Sequence, residues 1–91
     1  NSLTKAVELY DPASGRFMEV STNQPGVQIY SGFWLNGTVK SPQGKPFQQF
    51  GGVCMETQHY PDSPNQPAFP TTTLEPGDKY HHLTVHKFSV K

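Results

Sequence analysis

Asn23-Gln24-Pro25-Gly26-Val27-Gln28-Ile29-Tyr30 is a turn that leads into a strict alternation of apolar and polar residues. Pro and Gly side by side are turn residues. A period of two is the signature of an extended strand. It points Val27 and Ile29 to one side and Gln28 and Tyr30 to the other.

The same grammar runs outward in both directions. Upstream, Ala6-Val7-Glu8-Leu9-Tyr10 and Arg16-Phe17-Met18-Glu19-Val20-Ser21-Thr22 flank the turn Asp11-Pro12-Ala13-Ser14-Gly15 and read as a β-hairpin. Downstream, Phe33-Trp34-Leu35 forms an apolar patch ahead of an Asn36-Gly37 turn, and the polar stretch from Thr38 to Gln49 reads as a surface loop. Gly51-Gly52 opens a strand, Val53-Cys54-Met55-Glu56-Thr57-Gln58. The stretch holding Pro61, Pro64, Pro67 and Pro70 excludes helix and central strand. A last strand is expected from Tyr80 to Val90. There Leu83 and Val85 share one parity and Phe88 and Val90 the other, so either both faces are buried or a bulge switches them. Nine Pro and eight Gly leave no room for long helices, and the fold class is all-β.

The 91 residues suffice for one domain at most, and only 33% of them are apolar. Adding the eight glycines still leaves the chain short of the roughly 45–50% usual for a globular domain. One Cys cannot form an internal disulfide, so this route to stabilising a small core is closed. The lone Cys54 suits a reducing, cytoplasmic setting. The formal charge is zero, and Lys and Arg are scattered, which excludes a basic nucleic-acid face and a polybasic membrane anchor. No apolar run is long enough to span a membrane as a helix, and no secretory signal pattern is present. The opening Asn1-Ser2-Leu3-Thr4 has no Met, as expected of a processed chain or of a piece of a longer one.

On the strand around Glu56, alternation places Cys54, Glu56 and Gln58 on one face and Val53, Met55 and Thr57 on the other. If this strand neighbours the one at Gln28, then Gln28, Glu56 and Gln58 line one polar surface; otherwise Glu56 is simply a solvated sheet residue. Amides, carboxylates and aromatics are the usual groups for holding sugar hydroxyls. A metal site is not expected. His82 and His86 on a strand lie about 13 Å apart, too far for two ligands each about 2 Å from one zinc. His59, His81, His82 and His86 read as solvated or hydrogen-bonded. Cys54 lacks a neighbouring base and reads as a buried, inert thiol. Of Phe33, Trp34 and Phe69, at least two are expected in the core.

Taken in order, Asn23 to Gly32, Leu35-Asn36-Gly37, Glu56-Thr57-Gln58, Pro61-Asp62-Ser63-Pro64-Asn65-Gln66-Pro67, Phe69-Pro70, Leu74-Glu75-Pro76-Gly77 and the segment from Tyr80 to Phe88 resemble the C-terminal part of the aldose 1-epimerases. The resemblance covers nearly the whole chain. It implies an antiparallel β-sandwich, of which residues 1–91 would be the C-terminal segment. It implies an isomerase that interconverts α and β anomers of aldohexoses such as galactose and glucose, with no metal or organic cofactor.

Within that resemblance Glu56 matches the family's catalytic base and Gln28 a sugar-binding amide. The family's acid His, second His, Asp and Asn-Arg pair belong to regions preceding the matched part, so the isolated segment is expected to be inactive. The expected partners are an aldohexose and the N-terminal part of the same enzyme, which could be a separate chain. A non-catalytic carbohydrate-binding or structural module on the same scaffold is the alternative. A stand-alone β domain of unrelated function would leave the residue match unexplained.

Overall fold

The computed structural model describes residues 2–91. It contains five strands: β1 (Thr4–Tyr10), β2 (Arg16–Thr22), β3 (Gly26–Tyr30), β4 (Cys54–Gln58) and β5 (Thr84–Val90), with a single 3-10 turn at Ser63–Asn65. All pairings are antiparallel. The strands form a three-stranded sheet ordered β1-β2-β5 and a two-stranded sheet of β3 and β4.

The expected hairpin is β1–β2. Asp11 Oδ2 accepts from the Ser14 hydroxyl at 2.6 Å, and Gly15 N donates to Asp11 O at 2.8 Å. Gly15 has φ +76, and a Cβ there would stand 3.2 Å from the Lys91 carbonyl oxygen. A residue without a side chain is therefore required on two counts.

Pairing of β2 with both neighbours puts Val7, Leu9, Met18, Val20 and Phe88 on one face. Tyr10, Phe17, Glu8, Glu19 and Lys87 take the other. On that second face Lys5 Nζ lies 2.6 Å from Glu8 Oε1 and 3.6 Å from Glu19 Oε1. Lys91 Nζ sits 4.8 Å from the Phe17 ring centre.

The broken alternation of the last strand resolves without a bulge. β5 pairs with β2 in unbroken register from Thr84 to Val90, so Val85 lies on one face and Phe88 and Val90 on the other. All three are exposed. The register shift falls instead in β1, between Lys5 and Val7. β5 also starts later than expected. Tyr80 to Leu83 form no ladder, because the Asn23 side chain ties this stretch down. Asn23 Nδ2 donates to His81 O at 2.9 Å, and Leu83 N donates to Asn23 Oδ1 at 3.0 Å. Gly51, Gly52 and Val53 likewise precede β4 rather than open it.

The loop between β3 and β4 is a short excursion closed on itself. Gly37 N donates to Phe47 O at 2.9 Å, Phe47 N to Val39 O at 2.8 Å, and Ser41 N to Lys45 O at 2.8 Å. Asn36-Gly37 is the expected turn: Gly37 has φ +86, and Asn36 Oδ1 accepts from Thr38 N at 3.1 Å. After β4, Asp62 adopts φ +65 and receives Asn65 Nδ2 at 2.6 Å and Gln66 Nε2 at 2.9 Å.

Among the described residues Val20 is the fully buried hydrophobic side chain. The aromatics expected in a core are not there: Phe33 is 49% exposed, Trp34 80% and Phe69 39%. The reason is architectural. The two sheets do not stack over one another along their faces, so an apolar face on either has nothing to cover it. The accessible surface of 7122 Å² exceeds the ~5,300 Å² expected of a compact protein of this mass. The radius of gyration, 16.8 Å, exceeds the ~12 Å of a compact chain of this length.

Two outcomes follow from this fold. Val20→Ala should lower stability by about 2 kcal/mol, through lost burial plus a cavity. It should be read as a lower urea midpoint at unchanged slope. The second concerns Asp62, whose carboxyl is held below the usual 3.8 by hydrogen bonds from Asn65 and then Gln66. A depressed carboxyl contributes stability above its unfolded pKa and loses it as pH falls through the folded one. The side-chain amide NMR signals of Asn65 and Gln66 should therefore stay constant through neutral pH and shift with a midpoint below that of an ordinary aspartate.

Candidate functional site

Register decides which side chains of the two-stranded sheet meet. β3 pairs with β4 so that Gln28 lies directly opposite Glu56, with Tyr30 opposite Cys54 and Gly26 opposite Gln58. Directly opposed residues project to one face with Cβ atoms about 5 Å apart. Gln28, Tyr30, Cys54, Glu56 and Gln58 therefore share a face, and Val27, Ile29, Met55 and Thr57 share the other. The conditional expectation of one polar surface is met in its geometry. Gly26 completes the corner by lacking a side chain, since a Cβ there would stand 2.9 Å from the Tyr60 ring.

This face carries one carboxylate between two amides. A carboxylate accepts protons or hydrogen bonds, whereas a Gln amide can donate and accept at once and so orient a hydroxyl without adding charge. Both Glu56 and Gln28 are exposed on an open sheet surface. Cys54 is exposed too, which corrects its expected burial: the apolar run around it belongs to a strand that no second layer covers.

The opposite face of β4 is anchored. Thr57 Oγ1 lies 2.7 Å from Thr84 Oγ1 and 2.8 Å from His82 Nε2. Thr84 Oγ1 in turn lies 3.2 Å from Thr22 Oγ1, which donates to Leu83 O at 3.0 Å. This network joins the two sheets. No local sequence pattern signals it, because Thr22 and Thr84 are 62 residues apart.

A second polar feature also escaped the sequence reading. A cleft of about 380 Å³ is lined by Asn23, Gln24, His59, Lys79, Tyr80 and His81, among others. Gln24 Oε1 is buried without a hydrogen-bond partner among the described residues. The Asn23-Gln24 pair read only as turn residues, and nothing local links it to residues near position 80. Glu56 and Gln28 do not line this cleft.

Among the described residues no group of three or more His, Cys, Asp or Glu converges in a way that could hold a metal ion. The histidines are dispersed: His59 and His81 in the cleft, His82 in the threonine network, and His86 opposite Val20 in β5. No helix among the described residues is long and apolar enough to cross a membrane.

Comparison with known proteins bears on this arrangement. The aldose 1-epimerase family model matches residues 1–87. A galactose mutarotase of Mus musculus is 54% identical over 78 residues, which are 86% of this chain and 23% of that protein. A galactose mutarotase of Homo sapiens is 50% identical over 82 residues, 90% of this chain and 24% of that protein. An aldose 1-epimerase of Escherichia coli strain K12 is 38% identical over 73 residues, 78% of this chain and 21% of that protein. The chain thus spans about a quarter of the length of these relatives. With the match extending over almost all of its residues and an all-antiparallel β architecture, the chain belongs to the aldose 1-epimerase family.

Proposed function

We propose that residues 1–91 are the C-terminal segment of an aldose 1-epimerase β-sandwich, and that the complete protein interconverts the α and β anomers of aldohexoses such as galactose and glucose. The observation that carries this reading is the pairing of Gln28 across from Glu56 on one polar sheet face, in a chain of this family.

In the proposed mechanism the Glu56 carboxylate takes the proton of the C1 hydroxyl. The freed electron pair forms the C1 carbonyl as the bond from C1 to the ring oxygen breaks. The ring oxygen takes a proton from an acid His of the preceding polypeptide. Rotation about C1–C2 presents the other carbonyl face, and the same steps in reverse close the ring. Gln28 holds a sugar hydroxyl, fixing the orientation in which C1 meets the base. General acid–base catalysis needs both a group that accepts and one that donates, and this segment supplies the first. The partner that completes the site is therefore the N-terminal part of the enzyme, in the same chain or as a separate one. The unpaired Cys54 fits a cytoplasmic, reducing setting.

The exposure of Glu56 and Gln28 supports a second reading, a non-catalytic carbohydrate-binding or structural module on the same scaffold. Catalysis separates the two. In the complete protein, Glu56→Gln should lower turnover by about a hundredfold or more and leave sugar affinity within a few-fold. Wild-type turnover in that variant would remove Glu56 from the mechanism. A complete wild-type protein that binds sugar without accelerating anomerisation would favour the second reading. The isolated segment should show, by polarimetry, only the spontaneous rate of mutarotation. A rate well above that background would overturn the need for an acid from elsewhere.

A further inference from the structure

We propose that Thr57 and Thr84 form a positioning clamp that fixes β4, and with it Glu56, against the three-stranded sheet. The proposal rests on the reading of Glu56 as the base and adds the residues that hold it in place.

The clamp follows from the direction of its hydrogen bonds. The Leu83 carbonyl can only accept, so the Thr22 hydroxyl donates to it. Thr22 has then spent its one proton, and in the 3.2 Å pair with Thr84 it is Thr84 that donates. By the same reasoning Thr57 donates to Thr84 at 2.7 Å. Thr57 therefore accepts from His82 Nε2 at 2.8 Å, and the same ring nitrogen lies 3.2 Å from Thr84 Oγ1. His82 Nδ1 is left to accept from the Tyr80 hydroxyl at 3.2 Å. One ordered chain of donors thus runs from Tyr80 through His82, Thr57, Thr84 and Thr22 to Leu83. Its Thr22 end is buried, at 2% exposure.

Geometry makes this chain relevant to Glu56. Thr57 follows Glu56 directly and projects to the opposite face of β4. The two-stranded sheet has little apolar packing to hold it, with Ile29 51% exposed on the anchored side. A β4 strand pinned through Thr57 cannot rock about its axis without breaking the clamp, and such rocking is the motion that would swing Glu56 away from C1. A displacement of about 1 Å at a reacting group can cost a hundredfold in rate.

The test uses the complete enzyme. Thr57→Val keeps the shape of the side chain and removes the hydroxyl, and Thr57→Ser keeps the hydroxyl. Thr57→Val should lower kcat about tenfold or more while KM stays within about twofold, and Thr57→Ser should recover most of the rate. Thr84→Val should do the same, and the double Val variant should be no worse than either single one, as expected for residues acting as a unit. Amide exchange should quicken across Met55–Gln58 in Thr57→Val and stay unchanged in β2. Glu56→Gln, measured in parallel, separates the two levels. If Glu56→Gln is inactive but both Val variants keep wild-type kcat, the clamp is wrong and the base stands. If Glu56→Gln turns over normally, the base reading falls, and the clamp argued through it falls too. Equal losses in Thr57→Val and Thr57→Ser would also overturn the clamp, because the hydroxyl would then not be the operative group. A Thr57→Val protein that does not fold leaves Thr84→Val and Thr57→Ser to decide.

Discussion

The register of β3 against β4 governs everything the site can do. In an antiparallel pair a slip of one residue sends every side chain of a strand to the opposite face. Such a slip would set Gln28 against Met55 or Thr57 and take it off the face that Glu56 and Gln58 share. Several local features keep the pairing in frame. The Pro25-Gly26 turn starts β3 close to the Tyr60 ring, where a side chain would not fit. Thr57, on the reverse of β4, reaches the other sheet only if it points away from Glu56. The polar face and the threonine network are thus two aspects of one alternation.

The second constraint is scarcity of apolar material. Sheets are stabilised by covering an apolar face with another layer, and a chain with 33% apolar residues cannot provide that layer for itself. Its hydrogen bonds are well organised: the hairpin turn, the Asn36 turn, the Asp62 loop and the Asn23 link are all satisfied locally or across the chain. Its hydrophobic faces are bare. Order in the backbone and exposure of Leu9, Phe88 and Trp34 therefore coexist.

What could be read from the residues alone was the part set by near neighbours. The period of two in Val27–Tyr30 and Cys54–Gln58, and the turn chemistry of Pro25-Gly26 and Asn36-Gly37, gave the strands and the face on which Glu56 lies. Structure departs from local pattern where distant contacts decide. β5 starts later than its residues suggest because the Asn23 side chain, 60 residues from Leu83, holds a segment that looks strand-like. Residue type alone puts at least two of Phe33, Trp34 and Phe69 in a core, although burial depends on a covering layer that a one-dimensional pattern does not contain. The clamp was invisible for the same reason. Threonine is an ordinary strand residue, and only the fold brings Thr22, Thr57 and Thr84 together.

The ribbon made by β3 and β4 has one further property. Each of its strands pairs on a single side, which leaves two outer margins with unspent backbone donors and acceptors. Margins of this kind are templates for lateral growth of a sheet, and a two-stranded ribbon is barely stable in water without it. In a finished enzyme, neighbouring strands would dock there and shield the groups. Left bare, the same margins would recruit other copies, so these uncovered edges make the ribbon prone to aggregate.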